Sequence, residues 1–195
     1  MEAIYRDSLS NLRAHPGPVS EGEKGNALMD KQLEVVIRPV LENDLPVIAE
    51  LDQEAFSAYG TAEDPQTFAL RYQAFPAGFI VLTEDDRIVA YGCGEKWLTE
   101  REPGLGENPL ETHHPDGRIF CITGMAVRLR HRRKGYGLAV LDRLIEIARQ
   151  EGCTKILLET THAQGLYLKR GFRKVGSREE WGIILDVLVL DNIQP

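Results

Sequence analysis

The sequence predicts an α/β fold with a mixed sheet. Apolar, β-branched runs alternate with amphipathic segments along most of the chain, which is typical of strands and helices packed in layers. Two such runs, 79–82 and 88–92, are separated by the short acidic turn 84–87, and this spacing predicts a hairpin. The 195 residues are 43% apolar and 27% charged, which suits one domain with a full core and a tail.

Residues 1–33 are predicted to form a flexible N-terminal extension, and the folded domain is expected to span 34–195. The first stretch is polar and rich in Gly and Pro, with no sustained hydrophobic periodicity. Such an extension can dock on the domain or on a second copy of the chain, so a homodimer is one expected arrangement.

The first half of the domain is predicted to contain a strand, two helices and the hairpin. The β-branched run at 33–40 predicts the first strand, and a helix capped by Asn43 or Asp44 should follow it. A second helix is predicted over 65–75. We expect the connecting loop 58–62 to border a substrate.

The second half continues the alternation of strands and helices. A strand with an internal glycine is predicted at 119–127, followed by an amphipathic helix at 137–150 and a buried strand at 155–158. The pattern Thr161-x-x-Gln164 predicts a capping box that opens a short helix through Arg170. The apolar segment 181–190 predicts a final strand.

A long Pro-, Gly- and Glu-rich insertion occupies 98–117 and contains His113 and His114. Paired histidines can indicate a metal site, but no further Asp, Cys or His stands at ligand spacing. We therefore expect a solvated loop and no metal. Loops of this length inside compact domains are often functional or mobile.

Charge and cysteine content limit the function classes. A net charge of -7 argues against a general nucleic-acid binder. The three widely spaced cysteines predict buried thiols in a reducing cytoplasm, without a disulfide or zinc site. Because no apolar run has spanning length and no signal-type hydrophobic region opens the chain, we expect a cytoplasmic protein without a membrane partner.

Residues 127–138 combine stacked basic side chains with two glycines where a strand runs into a helix. Gly135 and Gly137 let the backbone approach a ligand, and the helix N-terminus adds partial positive charge, so the segment predicts a pyrophosphate site. The alternative is a solvated surface turn. A Rossmann fingerprint requires a third glycine, and a P-loop requires Lys-Ser/Thr after its last glycine; neither is present.

Arg132 to Gly137 resembles the Arg/Gln-x-x-Gly-x-Gly/Ala motif of the GNAT superfamily of N-acyltransferases, which bind acetyl-coenzyme A. The strand at 124–127 precedes it as in that family, and 163–172 resembles the family's Ala-x-x-Leu-Tyr-x-x-x-Gly-Phe segment. The resemblance extends from about residue 33 to the C-terminus. It implies the GNAT acyl-CoA N-acyltransferase fold, an α/β (α+β) domain whose mixed, mostly antiparallel central sheet is flanked by helices, with acetyl-CoA as co-substrate.

The resemblance also implies residue roles. Backbone amides from about Arg133 to Leu138 would hold the pyrophosphate, and the basic side chains would screen its charge. Met125 and Val127 would pair through their backbone with the pantetheine arm, and an amide nearby would stabilise the oxyanion. The expected donor-binding residues are Met125, Ala126, Val127, Arg132, Arg133, Lys134, Gly135, Tyr136, Gly137 and Leu138. Tyr167 matches the family's general acid, although it also fits a core aromatic of a short helix.

The sequence departs from the family pattern at the general base. Many relatives carry Glu four residues before the valine that matches Val127, and here that residue is Thr123. The Asn often found seven residues before the tyrosine is Thr160. Glu95 is our first candidate for the general base, and His114 is the second. The alternative for Glu95 is a partly exposed carboxylate on a strand, without a catalytic role.

We therefore expect an acetyltransferase that moves an acetyl group from acetyl-CoA to a primary amine of a small molecule by direct attack, with Tyr167 as acid. A protein or peptide N-acetyltransferase is the first alternative, favoured by an open groove around Tyr59 and His113. A non-catalytic coenzyme A sensor is the second, favoured by the missing carboxylate at Thr123. Nucleic-acid binding through 128–134 is disfavoured by the overall acidity.

Overall fold

The computed structural model describes residues 33–193, so the predicted extension lies outside the described residues apart from Leu33. The strands are β1 (Val35–Pro39), β2 (Phe79–Glu84), β3 (Arg87–Trp97), β4 (Ile119–Val127), β5 (Lys155–Thr160), β6 (Arg173–Glu180) and β7 (Ile183–Asp191). The helices are α1 (Leu45–Phe56), α2 (Pro65–Ala74), α3 (Pro109–Thr112), α4 (Tyr136–Gln150) and α5 (Gln164–Leu168).

The strands of the described region form one sheet in the order β1-β2-β3-β4-β5-β7-β6. Neighbouring strands are antiparallel except β4 and β5, which are parallel. The predicted hairpin is the pair β2 and β3. Its turn residues Asp85 and Asp86 both have positive φ, 47° and 62°, as a two-residue hairpin turn requires. The mixed, mostly antiparallel sheet flanked by helices is confirmed.

Helices cover both faces of the sheet. On one face α4 packs its apolar stripe, including Val140 and Leu144, against a core that contains Ile80 and Leu82 of β2. On the other face α1 and α2 pack against alternate side chains of the same strands, such as Val81. Since β2 is buried on both sides, its apolar run is continuous rather than alternating.

The sheet opens between β4 and β5. These strands pair only from Ile119 opposite Lys155 to Ile122 opposite Leu158, although both continue further. Thr123 also lacks a partner on the other side, because β3 pairs with Ile122 and then with Gly124, which makes a bulge. The second half of β4 therefore has one edge that β5 does not cover.

At two helix starts the predicted capping side chain makes no capping hydrogen bond. Asp44 lies at the N-cap position of α1, but its carboxylate accepts from the Leu41 amide at 2.8 Å and from Arg38. The expected capping box at Thr161 does not form either. Instead the Thr160 hydroxyl accepts from the Ala163 amide at 3.0 Å, and α5 begins at Gln164 and ends at Leu168 rather than at Arg170.

The end of the chain is a hairpin rather than one strand. Trp181 and Gly182 form its turn with φ of 52° and 76°, so Trp181 is not a strand residue, and its side chain is exposed. The preceding strand β6 is absent from our prediction. Its residues are mostly polar because it lies at the edge of the sheet with much of its surface exposed.

Candidate active site

A cavity of about 380 Å³ lies where β4 and β5 diverge. Both strands contribute wall residues beyond their last paired positions, from Thr123 to Met125 on β4 and from Glu159 to Thr160 on β5. The loop between α1 and α2, residues 103–107 of the insertion and Trp181 also contribute to the wall. The volume falls in the range of small-molecule sites.

A larger concavity of about 940 Å³ lies beside the β2–β3 turn, but its wall contains none of the residues predicted for the site. We therefore take the cavity between β4 and β5 as the candidate active site.

The open edge of β4 presents the backbone of Met125 and Val127. The Arg128 amide donates to the Val89 carbonyl of β3 at 2.9 Å, and amides alternate in direction along a strand. The amides of Val127 and Met125 therefore face away from β3, toward the open edge. The Val127 carbonyl on this side accepts from Arg132 Nε at 3.3 Å. The two residues predicted to pair with an extended ligand do face the side that could receive one.

The backbone of the glycine motif turns sharply into α4. Gly135 has a φ of 88°, which favours glycine, and the helix begins at Tyr136. A Cβ on Gly137 would lie 2.9 Å from Leu166 Cδ1, so this glycine allows α5 to pack closely against the start of α4. The amides at the α4 N-terminus thereby lie beside the short helix that carries Tyr167.

Two side chains of the motif turn toward Glu84 at the end of β2. Lys134 Nζ lies 2.8 Å from Glu84 Oε1, and the buried Tyr136 hydroxyl donates to the same oxygen at 2.5 Å. Burial opposes ionisation, but these hydrogen bonds outweigh it and hold the pKa of Glu84 below its ordinary value. His131 Nε2 also lies 3.0 Å from Glu84 Oε2, while burial lowers its pKa. Lys134 and Tyr136 thus help to fix the loop, although Lys134 is exposed, as are Arg132 and Arg133.

Tyr167 lines the cavity and is 5% exposed. Its ring packs edge-on against Phe172 with the centroids 5.7 Å apart, so it is also a core aromatic. Its hydroxyl makes no hydrogen bond within the described residues. Burial raises the pKa of the phenol, which keeps it protonated near neutral pH.

Glu95 is buried, so the alternative prediction of a partly exposed strand carboxylate is wrong. It is 4% exposed and lines the cavity. Its Oε1 accepts from Trp97 Nε1 at 2.6 Å, whereas Oε2 is buried without a hydrogen-bond partner and lies 3.9 Å from Arg71 Nη1.

The two histidines of the insertion do not line the cavity. His113 Nδ1 accepts from the Lys96 amide at 3.2 Å, and its ring stacks on Phe75. His114 Nδ1 accepts from the Asp116 amide, also at 3.2 Å. Both imidazoles are thus engaged in local structure, and His114, the second candidate for the base, does not line the cavity.

The structure adds a network of ionisable wall residues that sequence reasoning missed. Arg71 Nε donates to Glu63 Oε2 at 2.9 Å, and its Nη2 contacts the other oxygen of that carboxylate. Asp52 accepts from the Tyr91 hydroxyl at 2.5 Å and from the Glu63 amide at 2.8 Å. Burial raises the pKa of Asp52. No motif identifies these residues, because they come from separate helices, a loop and a strand.

The insertion was expected to be a solvated loop, but hydrogen bonds attach it to the β6–β7 hairpin. Arg178 of β6 donates to both oxygens of Glu159, to Glu180 Oε2 at 2.7 Å and to the Pro103 carbonyl. The Leu105 amide donates to the same Glu180 oxygen at 3.0 Å. These bonds join the end of β5, the β6–β7 hairpin and the insertion into one wall.

In residues 33–193 no group of three or more His, Cys, Asp or Glu side chains is arranged to hold a metal ion. Among the described helices, none has both the length and the apolar character needed to cross a bilayer.

Known proteins resemble this chain in sequence and in fold. Residues 45–172 match the family model described as Acetyltransferase (GNAT) family. A probable glucosamine 6-phosphate N-acetyltransferase 2 from Oryza sativa subsp. japonica is 36% identical over 93 residues, which are 47% of this chain and 49% of that protein. The chain thus matches about half the length of this relative.

Two solved structures show the same fold. The ribosomal-protein-S18-alanine N-acetyltransferase from Escherichia coli has a TM-score of 0.62 and 19% identity, covering 82% of this chain and 94% of that one. The structure of yncA from Salmonella typhimurium with acetyl-CoA has a TM-score of 0.62 and 19% identity, covering 80% and 93%. Because the family model spans more than half of the sequence, the chain belongs to the GNAT acetyltransferase family.

Proposed function

We propose that this protein transfers an acetyl group from acetyl-CoA to a primary amine of a small molecule by direct attack. One observation carries the proposal: a single cavity is lined by Thr123 to Met125 of the uncovered part of β4, by Tyr167 and by Glu95. A donor edge, an acid and a base are the groups that such a transfer requires.

The residues around the cavity fit acetyl-CoA, which would supply a thioester carbonyl for attack. The open edge of β4 offers the backbone of Met125 and Val127 to an extended arm, as in strand addition. The N-terminus of α4, a helix of 15 residues entered through the positive φ of Gly135, offers amides and partial positive charge to a pyrophosphate. The exposed Arg132 and Arg133 add screening charge.

Glu95 is the proposed general base. An acceptor amine is protonated near neutral pH and must lose a proton before it can attack. Glu95 Oε2 has no hydrogen-bond partner in the described residues, so a water in the cavity can bring the proton to it. Arg71 Nη1 lies 3.9 Å from this oxygen and places a positive charge beside the carboxylate.

Tyr167 is the proposed general acid. Its hydroxyl faces no competing partner, and its raised pKa keeps the proton in place until the thiolate leaves. A thiolate that forms in the same buried cavity is also a stronger base than in water, so position favours the transfer more than intrinsic acidity does.

A small acceptor is favoured by the volume of the cavity and by the segments that form its wall. The insertion and the β6–β7 turn both contribute to its wall, and about 380 Å³ suits a compact molecule. A relative is named for glucosamine 6-phosphate and a structural neighbour for an alanine of ribosomal protein S18, so small molecules and proteins both belong in the test.

The test measures release of coenzyme A thiol with a panel of amines and peptides, and identifies the product by mass spectrometry. Tyr167→Phe should lower kcat by about 10²- to 10⁴-fold and leave the Kd for acetyl-CoA unchanged, because only proton transfer is lost. Tyr72→Phe is the matched control, since Tyr72 lies on α2, packs against the core and does not line the cavity. Unchanged turnover in Tyr167→Phe would remove Tyr167 from the mechanism.

If acetyl-CoA binds but no amine or peptide releases thiol, the sensor alternative replaces the enzyme. If only peptides react, the protein-acetyltransferase alternative is correct and the acceptor is not a small molecule.

A further inference from the structure

The cavity wall is strongly acidic. Among the described residues that line it, the carboxylates outnumber the single basic side chain, Arg71. The acidic residues are Asp52, Glu63, Asp64, Glu95, Glu107 and Glu159. Some of this charge is compensated by neighbours, so the partners of each group decide what a ligand encounters.

The nearby guanidinium groups are already engaged. Arg71 forms a two-point contact with Glu63, and its remaining nitrogen faces Glu95. Arg101 makes a similar pair with Glu107, with distances of 2.6 and 3.0 Å. Arg178 is bound by Glu159 and Glu180, as described above. An incoming anion would therefore have to displace a carboxylate to reach any of these cations.

An independent feature indicates that the negative charge has a ligand. Glu95 is 96% buried, it lines the cavity, and its Oε2 is without a hydrogen-bond partner. Asp52, which is 1% exposed, receives only a phenol and a backbone amide, which are neutral donors. Buried carboxylates with unused or neutral partners favour a cation in the space beside them.

We infer that the acceptor is a cationic di- or polyamine rather than an amine that carries a carboxylate or a phosphate. The inference rests on the proposed function and specifies its acceptor. One nitrogen of such a molecule is acetylated as a neutral amine. A second, protonated nitrogen offsets the excess carboxylate charge of the wall, whereas an acceptor anion would add to it.

The experiment compares three acceptors with the same carbon chain: putrescine, butylamine and γ-aminobutyrate. At the end opposite the reacting amine, putrescine carries an ammonium, butylamine a methyl group and γ-aminobutyrate a carboxylate. The value of kcat/KM should fall in that order, by about tenfold or more at each step for charge interactions of this kind. Glucosamine should likewise exceed glucosamine 6-phosphate.

Glu63→Gln tests the charge of the wall without altering the proposed acid or base. Because this change leaves Arg71 with one fewer carboxylate partner, the preference for putrescine over γ-aminobutyrate should shrink by about tenfold. Glu50→Gln is the matched control, since Glu50 is exposed on α1 and does not line the cavity. It should leave the preference unchanged.

A measurement on the unaltered protein covers the case in which Glu63→Gln does not fold. The doubly quaternary analogue of putrescine has no N–H to acetylate and should inhibit competitively against the amine, whereas glutarate should not inhibit. Failure of the analogue to inhibit would contradict the inference.

The two proposals fail in different ways. If no amine releases thiol, the proposed function is wrong. If butylamine and γ-aminobutyrate react as well as putrescine or better, acetyl transfer stands and the cationic acceptor is wrong.

Discussion

At the scale of single residues, Glu95 has the least satisfied environment in the site. One oxygen is bonded to Trp97, and the other is buried near Arg71 without a hydrogen bond. Leaving a buried carboxylate oxygen unpaired is costly, and native structures rarely tolerate it outside functional positions. This environment supports the proposed role of Glu95 in receiving a proton.

Glu95→Gln is expected to lower kcat/KM by about 10²-fold or more, because the neutral amide cannot accept the proton of the amine. The glutamine oxygen can still accept from Trp97, so the fold should be preserved. The measurement is kcat/KM against pH, with Glu50→Gln as the control. A pH profile and rate that match those of the unaltered protein would require another base.

The sequence alone indicates part of this residue set. Tyr167 and Glu95 were predicted, and both line the cavity, although their catalytic roles stay predictions. Arg71 and Asp52 could not be predicted, because they lie on ordinary helices and acquire their partners only when α1, α2 and β3 pack together. The side chain of Lys134 is predicted to screen phosphate but contacts Glu84, which the sequence predicts to lie in the acidic turn between two strands.

At the scale of elements, the insertion and the β6–β7 hairpin are joined into one wall of the cavity, the wall on which we propose that the acceptor binds. Glu180 links them, since it accepts from both the Leu105 amide and Arg178. The pKa of Glu180 is lowered chiefly by the bond from the Leu105 amide, so the ionised form holds the loop.

Glu180→Ala should raise the acceptor KM by about three- to tenfold, since one charge-assisted hydrogen bond to the insertion is lost. The Kd for acetyl-CoA should not change, and Arg178 keeps its bonds to Glu159. Steady-state kinetics and donor titration separate these effects. Glu179→Ala is the matched control, because the neighbouring side chain on a strand points to the opposite face. An equal rise in KM in both variants would contradict a specific link.

Sequence periodicity predicts the elements with strong local signals. The β2–β3 hairpin and α4 are found where expected, because an acidic turn and a broad apolar stripe are local properties. Strand β6 was not predicted, because an exposed edge strand needs few apolar residues and so lacks the apolar run that indicates a strand. The predicted helix caps are wrong because the Asp44 carboxylate binds Leu41 and Arg38 instead, and because Thr160 rather than Thr161 accepts from the amide before α5.

At the scale of the whole molecule, the divergence of β4 and β5 creates the site. Their parallel pairing ends at Ile122 and Leu158, while β5 remains paired with β7 on its other side up to Thr160. The sequence of neither strand indicates where this pairing ends, because both have the apolar pattern of ordinary buried strands. The family resemblance, rather than hydrophobic pattern, indicated that the backbone of β4 would face a ligand.

We propose that acetyl-CoA binds along the uncovered part of β4 and at the N-terminus of α4. Amide hydrogen exchange, measured residue by residue with and without acetyl-CoA, tests it most directly. We expect slower exchange at Met125, Val127 and residues 135–138, and unchanged exchange in β1. Protection confined to the concavity beside the β2–β3 turn, with no change at Met125 and Val127, would contradict the account.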